Sequence, residues 1–450
     1  MLPELRELAA GRMEELGVPG ATIGVLSEGE VETTGLGVTS LEHPLDVDAE
    51  TLFQIGSITK TFTGTTALRL VEQGRLDLDV AARTYVPELQ LADPDVAERV
   101  TMRHLLTHTA GWVGDYFDDL GRGEDALTRM VAALAELPQI SPLGELWSYN
   151  NAAFYLAGRV LEVVAERPYE HVVRELVLEP LGLERSFFFA DEVMTHRFVV
   201  GHVEDEDGRT IVARPWPIGR TAHPAGGLVS TVGDLLRYAR FHLGGGTVDG
   251  GEALLSKSSL ELMRSPQVEL TETDAMGLTW MLRRRAGRLA VGHGGLTNGQ
   301  AALLTLVPDA GFAVAVLTNH SFGGQIAQDV TSAALRIHLG LDEPEPTAQP
   351  RSPEELEEYA GRYGGALADY ELVVEDGRLV AHLTYKGGFP ARDSPPQPPP
   401  PPATIEFEGD DLVFVPEGRF KGAKGQFLRG PDGRIAWLRL GSRAHARVPG

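Results

Sequence analysis

Cysteine is absent from all 450 residues. That one absence excludes thiol catalysis, disulfides and cysteine-held metals. It leaves either side of a membrane open as the compartment. Long apolar runs are missing as well, and nothing approaches the ~18 residues of a membrane span. Positive charge is scarce beside negative: 40 Lys and Arg face 64 Asp and Glu, a net charge of −24. Such a chain repels phosphate backbones and anionic lipid, so neither nucleic acid nor membrane is expected as a partner. The acidic excess is spread along the chain and reads as a solubility feature. The first residues lack a basic segment followed by an apolar one. The chain as it stands therefore reads as cytoplasmic, and as periplasmic or secreted if a leader was removed.

What is present fits a globular protein. Hydrophobic residues make up 42% and charged residues 23%, which allows a sizeable core. Leu5, Leu8, Ala9 and Met13 share one face of an opening helix. Residues 21–26 and 31–37 read as a hairpin. Residues 58–73 give a helix closed by Gly74, and residues 76–189 read as mostly helical. Gly226-Gly227-Leu228 opens a further helix over 231–243. Strands return at 276–285, 289–292, 301–307 and 312–319, and residues 326–339 close with a helix. Strands at both ends with helices between them predict a sheet assembled from both ends, packed by helices, with a helical insertion.

Residues 341–352 form a proline-rich linker. Beyond it the pattern turns to short strands at 370–374, 379–385, 404–408, 412–415, 425–429 and 435–440. Asp376-Gly377 and Asp432-Gly433 mark tight turns among them. The expected organisation is a domain over 1–340, the linker, and a small antiparallel barrel or sandwich over 353–450. The proline run 395–402 cannot join a sheet ladder and must be a loop.

Three short segments carry chemistry. In the first, Ser57 sits where a loop enters a helix, and Lys60 follows one turn later on the same face. A serine hydroxyl needs a nearby base, and an amine serves as one only if desolvation lowers its pKa. Phe53, Ile55, Ile58 and Phe62 supply apolar surroundings. The alternative is a helix-capping serine with an exposed lysine. In the second, Tyr149 and Asn151 stand two apart before an amphipathic helix. A tyrosine can relay a proton to a leaving group, and an asparagine amide can orient a lysine and a carbonyl. The alternative is a buried tyrosine with a helix cap. In the third, His293-Gly294-Gly295-Leu296 lies between two strands, where glycines permit close backbone approach. His104 and His108, four apart, could serve as zinc ligands, but no third ligand is evident and no metal is expected.

Ser-x-x-Lys, then Tyr-x-Asn, then His-x-Gly, in this order and spacing, resembles the serine β-lactamase and penicillin-binding-protein superfamily. The similarity is greatest to its class C-like branch of esterases and D-amino-acid peptidases. Residues 103–111, 224–230 and 303–319 add to the likeness, which spans about 1–340. The resemblance implies an α+β fold, a mixed sheet flanked by helices with a helical subdomain. It also implies an appended lipocalin-like β-barrel. Ser57 would be the acylated nucleophile, and Lys60 and Tyr149 would share the proton transfers. Asn151 would bind Lys60 and substrate, while His293, Gly294 and Gly295 line the strand edge. The amides of Ser57 and Leu296 would form the oxyanion hole. No cofactor is implied.

Histidine at 293 departs from the lysine of most β-lactamases. It weakens the cation that meets a β-lactam carboxylate and favours neutral esters or amides. The expected function is a serine hydrolase acting through an acyl-enzyme on small esters or short peptides and amides, D-residues included. The alternatives are a penicillin-binding or sensor protein acylated without turnover, a β-lactamase, or an acyltransferase. Oligomeric state is left open, a homo-oligomer included.

Overall fold

A computed structural model describes residues 2–247, 253–342, 345–418 and 420–449. The described chain forms two compact units. The first comprises 1–107, 119–136 and 153–343; the second comprises 108–118, 137–152 and 344–450.

The first unit is built on an eight-stranded antiparallel sheet. Its strands are β1 Gly20–Ser27, β2 Glu30–Gly37, β3 Val268–Glu269, β4 Asp274–Met276, β5 Met281–Arg285, β6 Arg288–Thr297, β7 Gln300–Val307 and β8 Phe312–Thr318. Their order is β2-β1-β8-β7-β6-β5-β4-β3, so the first hairpin pairs with the last strand, Ile23 opposite Val316. The sheet is therefore assembled from both ends of this part of the chain, as the strand pattern predicts.

Both faces of the central strands are covered, and β8 is buried throughout. On one face, Leu5, Ala9 and Met13 of helix α1 (Leu2–Leu16) and Ile326, Ala327 and Val330 of a later helix pack on Ile23, Val25, Val314 and Val316. That later helix spans Gly323–Leu339. On the other face a helix over Val232–Leu243 closes on β1. Gly24 makes this possible, since a Cβ there would lie 2.6 Å from Val232 and 2.7 Å from Leu236.

Several elements differ from the sequence reading. The stretch 76–189 is less helical than expected. Its helices are Pro94–Arg99, Met102–Leu106, Ala126–Ala133, Asn151–Ala165 and Tyr169–Val173, the last followed by a π-helical turn, Arg174–Leu178. Residues 107–125 and 137–150 are largely irregular, because glycine and proline interrupt them and His108 and Gly111 take positive φ. Residues 276–285 form a hairpin rather than one strand. Gly277 N–H donates to Trp280 O at 2.8 Å, and Thr279 adopts φ +66°. Leu228 leads into a two-residue strand, Val229–Ser230, paired with Phe53–Gln54, before the helix starts. The segment 293–297 lies inside β6 rather than between strands.

The second unit contains a closed eight-stranded antiparallel barrel. Its strands are β9 Gly361–Gly364, β10 Ala368–Glu375, β11 Arg378–Tyr385, β12 Ala403–Phe407, β13 Leu412–Phe414, β14 Lys424–Arg429, β15 Ile435–Leu440 and β16 Arg443–Arg447. Leu372, Leu379, Phe407, Phe427 and Leu438 fill its core together with Leu356 and Tyr359. Six of these strands match the sequence pattern. The first and last, β9 and β16, do not, because Gly361-Arg362 and Arg443-Ala444-His445 carry little apolar signal. The proline run 395–402 is a loop, as required.

Candidate active site

Ser57 lies in a 3₁₀ turn, Gly56–Ile58, that leads directly into helix α2, Thr59–Glu72. Gly56 adopts φ +52°, which a residue with a side chain takes only under strain. One turn on, Lys60 is fully buried. Its Nζ donates to Ser57 Oγ at 3.1 Å and to the Ala225 carbonyl at 2.6 Å. The ammonium stands 5.3 Å from the Phe154 ring centroid. The exposed-lysine alternative is therefore excluded, and the two side chains share a face as the spacing predicts.

Threonines of α2 fix the segment that carries this carbonyl. Thr63 Oγ1 donates to Pro224 O at 2.8 Å, and Thr59 Oγ1 accepts from Leu228 N–H at 3.1 Å. Behind them Glu170 is buried and receives Arg220 through two bonds of 3.0 Å. It also accepts from His223 Nδ1 at 2.7 Å. Burial alone would raise the Glu170 pKa, but the bonds from His223 and Arg220 outweigh it and lower the value to about 2. No sequence motif marks this group.

Strand β6 runs beside the Ser57 turn. A Cβ on Gly295 would stand 1.9 Å from Ile55 O and 3.0 Å from Ser57 N. A Cβ on Gly56 would stand 2.7 Å from Leu296 N. Only glycine fits at these two positions, and the approach brings the Ser57 and Leu296 amides close together. His293 is buried on the same strand. Its Nδ1 lies 2.6 Å from the Gly294 carbonyl. A carbonyl can only accept, so Nδ1 carries the proton and Nε2 is the acceptor of the neutral ring. Burial, then the Lys60 charge, pushes the imidazole down to about 3. His293 is thus neutral at pH 7 and supplies no fixed cation at this position.

Ser57, Lys60, His293, Gly294, Gly295 and Leu296 accordingly come together in the first unit. Tyr149 and Asn151 belong to the second. Tyr149 is buried, and its ring stacks on His108 with centroids 4.4 Å apart. Its N–H donates to Ser442 O at 2.9 Å. Asn151 opens the helix Asn151–Ala165. Its Nδ2 donates to Asp115 Oδ1 at 3.0 Å. Asp115 also receives Arg443 through Nε at 2.6 Å and Nη2 at 2.9 Å. Sequence reasoning misses Asp115 and Arg443. The only signal for Arg443 is the Gly441-Ser442 turn before it, and Asp115 sits in an irregular stretch without a motif.

The sequence and the overall fold are similar to those of known proteins. The Beta-lactamase family model matches residues 5–338. Penicillin-binding protein 4 of Amycolatopsis lactamdurans is 33% identical over 361 residues, 78% of this chain and 94% of that protein. Among solved structures, SurE is similar with a TM-score of 0.75 and 25% identity over 99% of both chains. The octameric penicillin-binding protein homologue from Pyrococcus abyssi is similar with a TM-score of 0.67 and 26% identity over 98% of each. With three quarters of its length matched by that family model and a curated relative at one-third identity, the chain belongs to the Beta-lactamase family.

Proposed function

We propose that this protein is a serine hydrolase that works through an acyl-enzyme on Ser57. The observation that carries the reading is the 3.1 Å bond between a fully buried Lys60 ammonium and Ser57 Oγ at a helix entrance. A desolvated amine gives up its proton more readily than one in water, which suits it to accept the serine proton. Ser57 Oγ attacks a substrate carbonyl. The developing oxyanion is held by the Ser57 and Leu296 amides. Lys60 and Tyr149 return a proton to the leaving alcohol or amine, and water releases the acyl group. Asn151 orients the lysine and the carbonyl. This chemistry draws only on side chains and backbone amides. The domains proposed for it are a hydrolase domain over 1–340, a linker over 341–352 and a β module over 353–450.

The neutral His293 favours small neutral esters and short amides over substrates that must anchor a carboxylate at that strand. The structure of SurE with D-Leu among the similar proteins supports a preference that includes D-residues. The name of the 33%-identical relative favours a second reading, a penicillin-binding protein acylated without useful turnover. The octameric homologue supports assembly into a homo-oligomer, which light scattering would test.

One experiment separates the readings. Intact mass is recorded after brief exposure to a short-chain ester, a D-amino-acid amide and a penicillin, with Ser57→Ala alongside. Released product with a transient adduct in the parent alone supports the hydrolase. A lasting penicillin adduct without product supports the second reading. Equal turnover by Ser57→Ala overturns both.

A further inference from the structure

We infer that the barrel takes part in the chemistry of the Tyr-x-Asn motif, with Arg443 at its hairpin tip acting as a positioning residue for Tyr149 and Asn151. Strands β15 and β16 are joined by two residues, Gly441 and Ser442, both at positive φ (+59° and +68°). This is the twist-matched hairpin turn, with a serine where glycine is ordinarily needed. The turn presents three consecutive residues to the motif. Ser442 O accepts from Tyr149 N–H at 2.9 Å. Ala444 N–H donates to Ser148 Oγ at 3.1 Å. Between them Arg443 makes its two bonds to Asp115, which is 6% exposed and takes the Asn151 amide on Oδ1. The guanidinium carbon lies 5.1 Å from the Tyr149 ring centroid.

Each contact removes a freedom that the proposed reaction cannot tolerate. The Asp115 carboxylate fixes the Asn151 amide, with Nδ2 toward Asp115 and Oδ1 turned away from it. The guanidinium fixes Asp115, because a planar fork with two parallel bonds defines a carboxylate's orientation as a single ammonium cannot. The Ser442 carbonyl fixes the Tyr149 backbone, while His108 and Arg443 pack on its ring. Burial alone would lower the Arg443 pKa, but Asp115 reverses this and raises it, so the cation persists at any working pH. Tyr149 and Asn151 are thus held by a strand tip about 290 residues further along the chain, an offset far beyond local structure.

The inference rests on the acyl-enzyme reading for its kinetic arm only. That arm is single-turnover acylation by a neutral ester, followed by mass, for Arg443→Ala, Arg443→Lys, Tyr149→Phe and the Arg443→Ala/Tyr149→Phe pair. Arg443→Ala is expected to slow acylation by between about 10- and 100-fold with KM little changed, the size of a misplacement effect. Arg443→Lys recovers only part of it. The double variant is slower than Tyr149→Phe alone, but by less than the Arg443→Ala loss, because part of that loss acts through the Tyr149 ring and the rest through Asp115 and Asn151. A parent-like rate in Arg443→Ala overturns the proposal. So do losses that add fully, or a loss confined to KM with carboxylate-bearing substrates, which would make Arg443 a substrate ligand. If the parent and Ser57→Ala react alike, the hydrolase reading fails instead. The structural arm is then decisive by itself: 3-fluorotyrosine at position 149 should give one sharp ¹⁹F line that shifts or broadens in Arg443→Ala. An unchanged line overturns the proposal whatever the activity.

Discussion

Two buried groups should write themselves into the pH dependence. Glu170 is held below its ordinary value of 4.5 by His223 and Arg220, at about 2. A depressed carboxylate contributes stability that is fully present above the unfolded value and is lost as pH falls toward the folded one. Thermal unfolding followed by calorimetry should therefore weaken steeply between pH 4.5 and 2. Glu170→Gln should flatten that slope and cost about 3–5 kcal/mol at neutral pH, because Arg220 loses its buried partner. A parent-like melting temperature in Glu170→Gln would refute this. His293 acts at higher pH. Its folded value is near 3, whereas an unfolded histidine titrates near ~6.5. Keeping it neutral costs progressively more stability as pH drops below 6.5. Between pH 5 and 8 it stays uncharged in the fold, so KM for carboxylate-bearing esters should show no step from this residue. An imidazole titration near 6 in His293, seen by NMR, would contradict the burial argument.

The paired glycines of β6 make contrasting predictions for one short element. At Gly295 a Cβ would sit 1.9 Å from a backbone oxygen, whereas at Gly294 the nearest atom is an ordinary 3.7 Å away. Gly295→Ala must push the strand off the Ser57 turn and should abolish acylation, while Gly294→Ala should retain most of it. Equal activity in the two variants, read by adduct mass, would show that the approach is not required. This element also shows what the sequence can and cannot disclose. An apolar run between turn signals identified β1, β7 and β8, because both faces of these central strands are covered. In β6 the run broke off at His293, because glycines and a histidine do not extend it, although the strand continues to Thr297. Asn298-Gly299, a strong hairpin signal, marks where that strand ends. Helix period put Ser57 and Lys60 on one face, whereas His293 was joined to them only by the family resemblance, since no local period links residues so far apart in the chain. Asp115 and Arg443 were illegible. Their pairing spans most of the chain, and no local rule links an irregular loop to a polar barrel strand.

At the scale of the molecule, the eight-stranded sheet joins the start of the described chain to its middle. β8 is buried on both faces and has β1 as one of its two neighbours. Removing residues 2–37 should therefore leave a long apolar edge and yield aggregate rather than a smaller folded protein. Recovery of soluble, cooperatively melting protein from that deletion would refute it. The same pairing sets a timetable for synthesis. Roughly 290 residues must leave the ribosome after β1 before Thr318 emerges, which at ~5–20 residues per second takes about 15–60 s. During that interval the opening hairpin waits with one edge unsatisfied, so the nascent chain becomes a client for holding chaperones well before it becomes a protein that can fold.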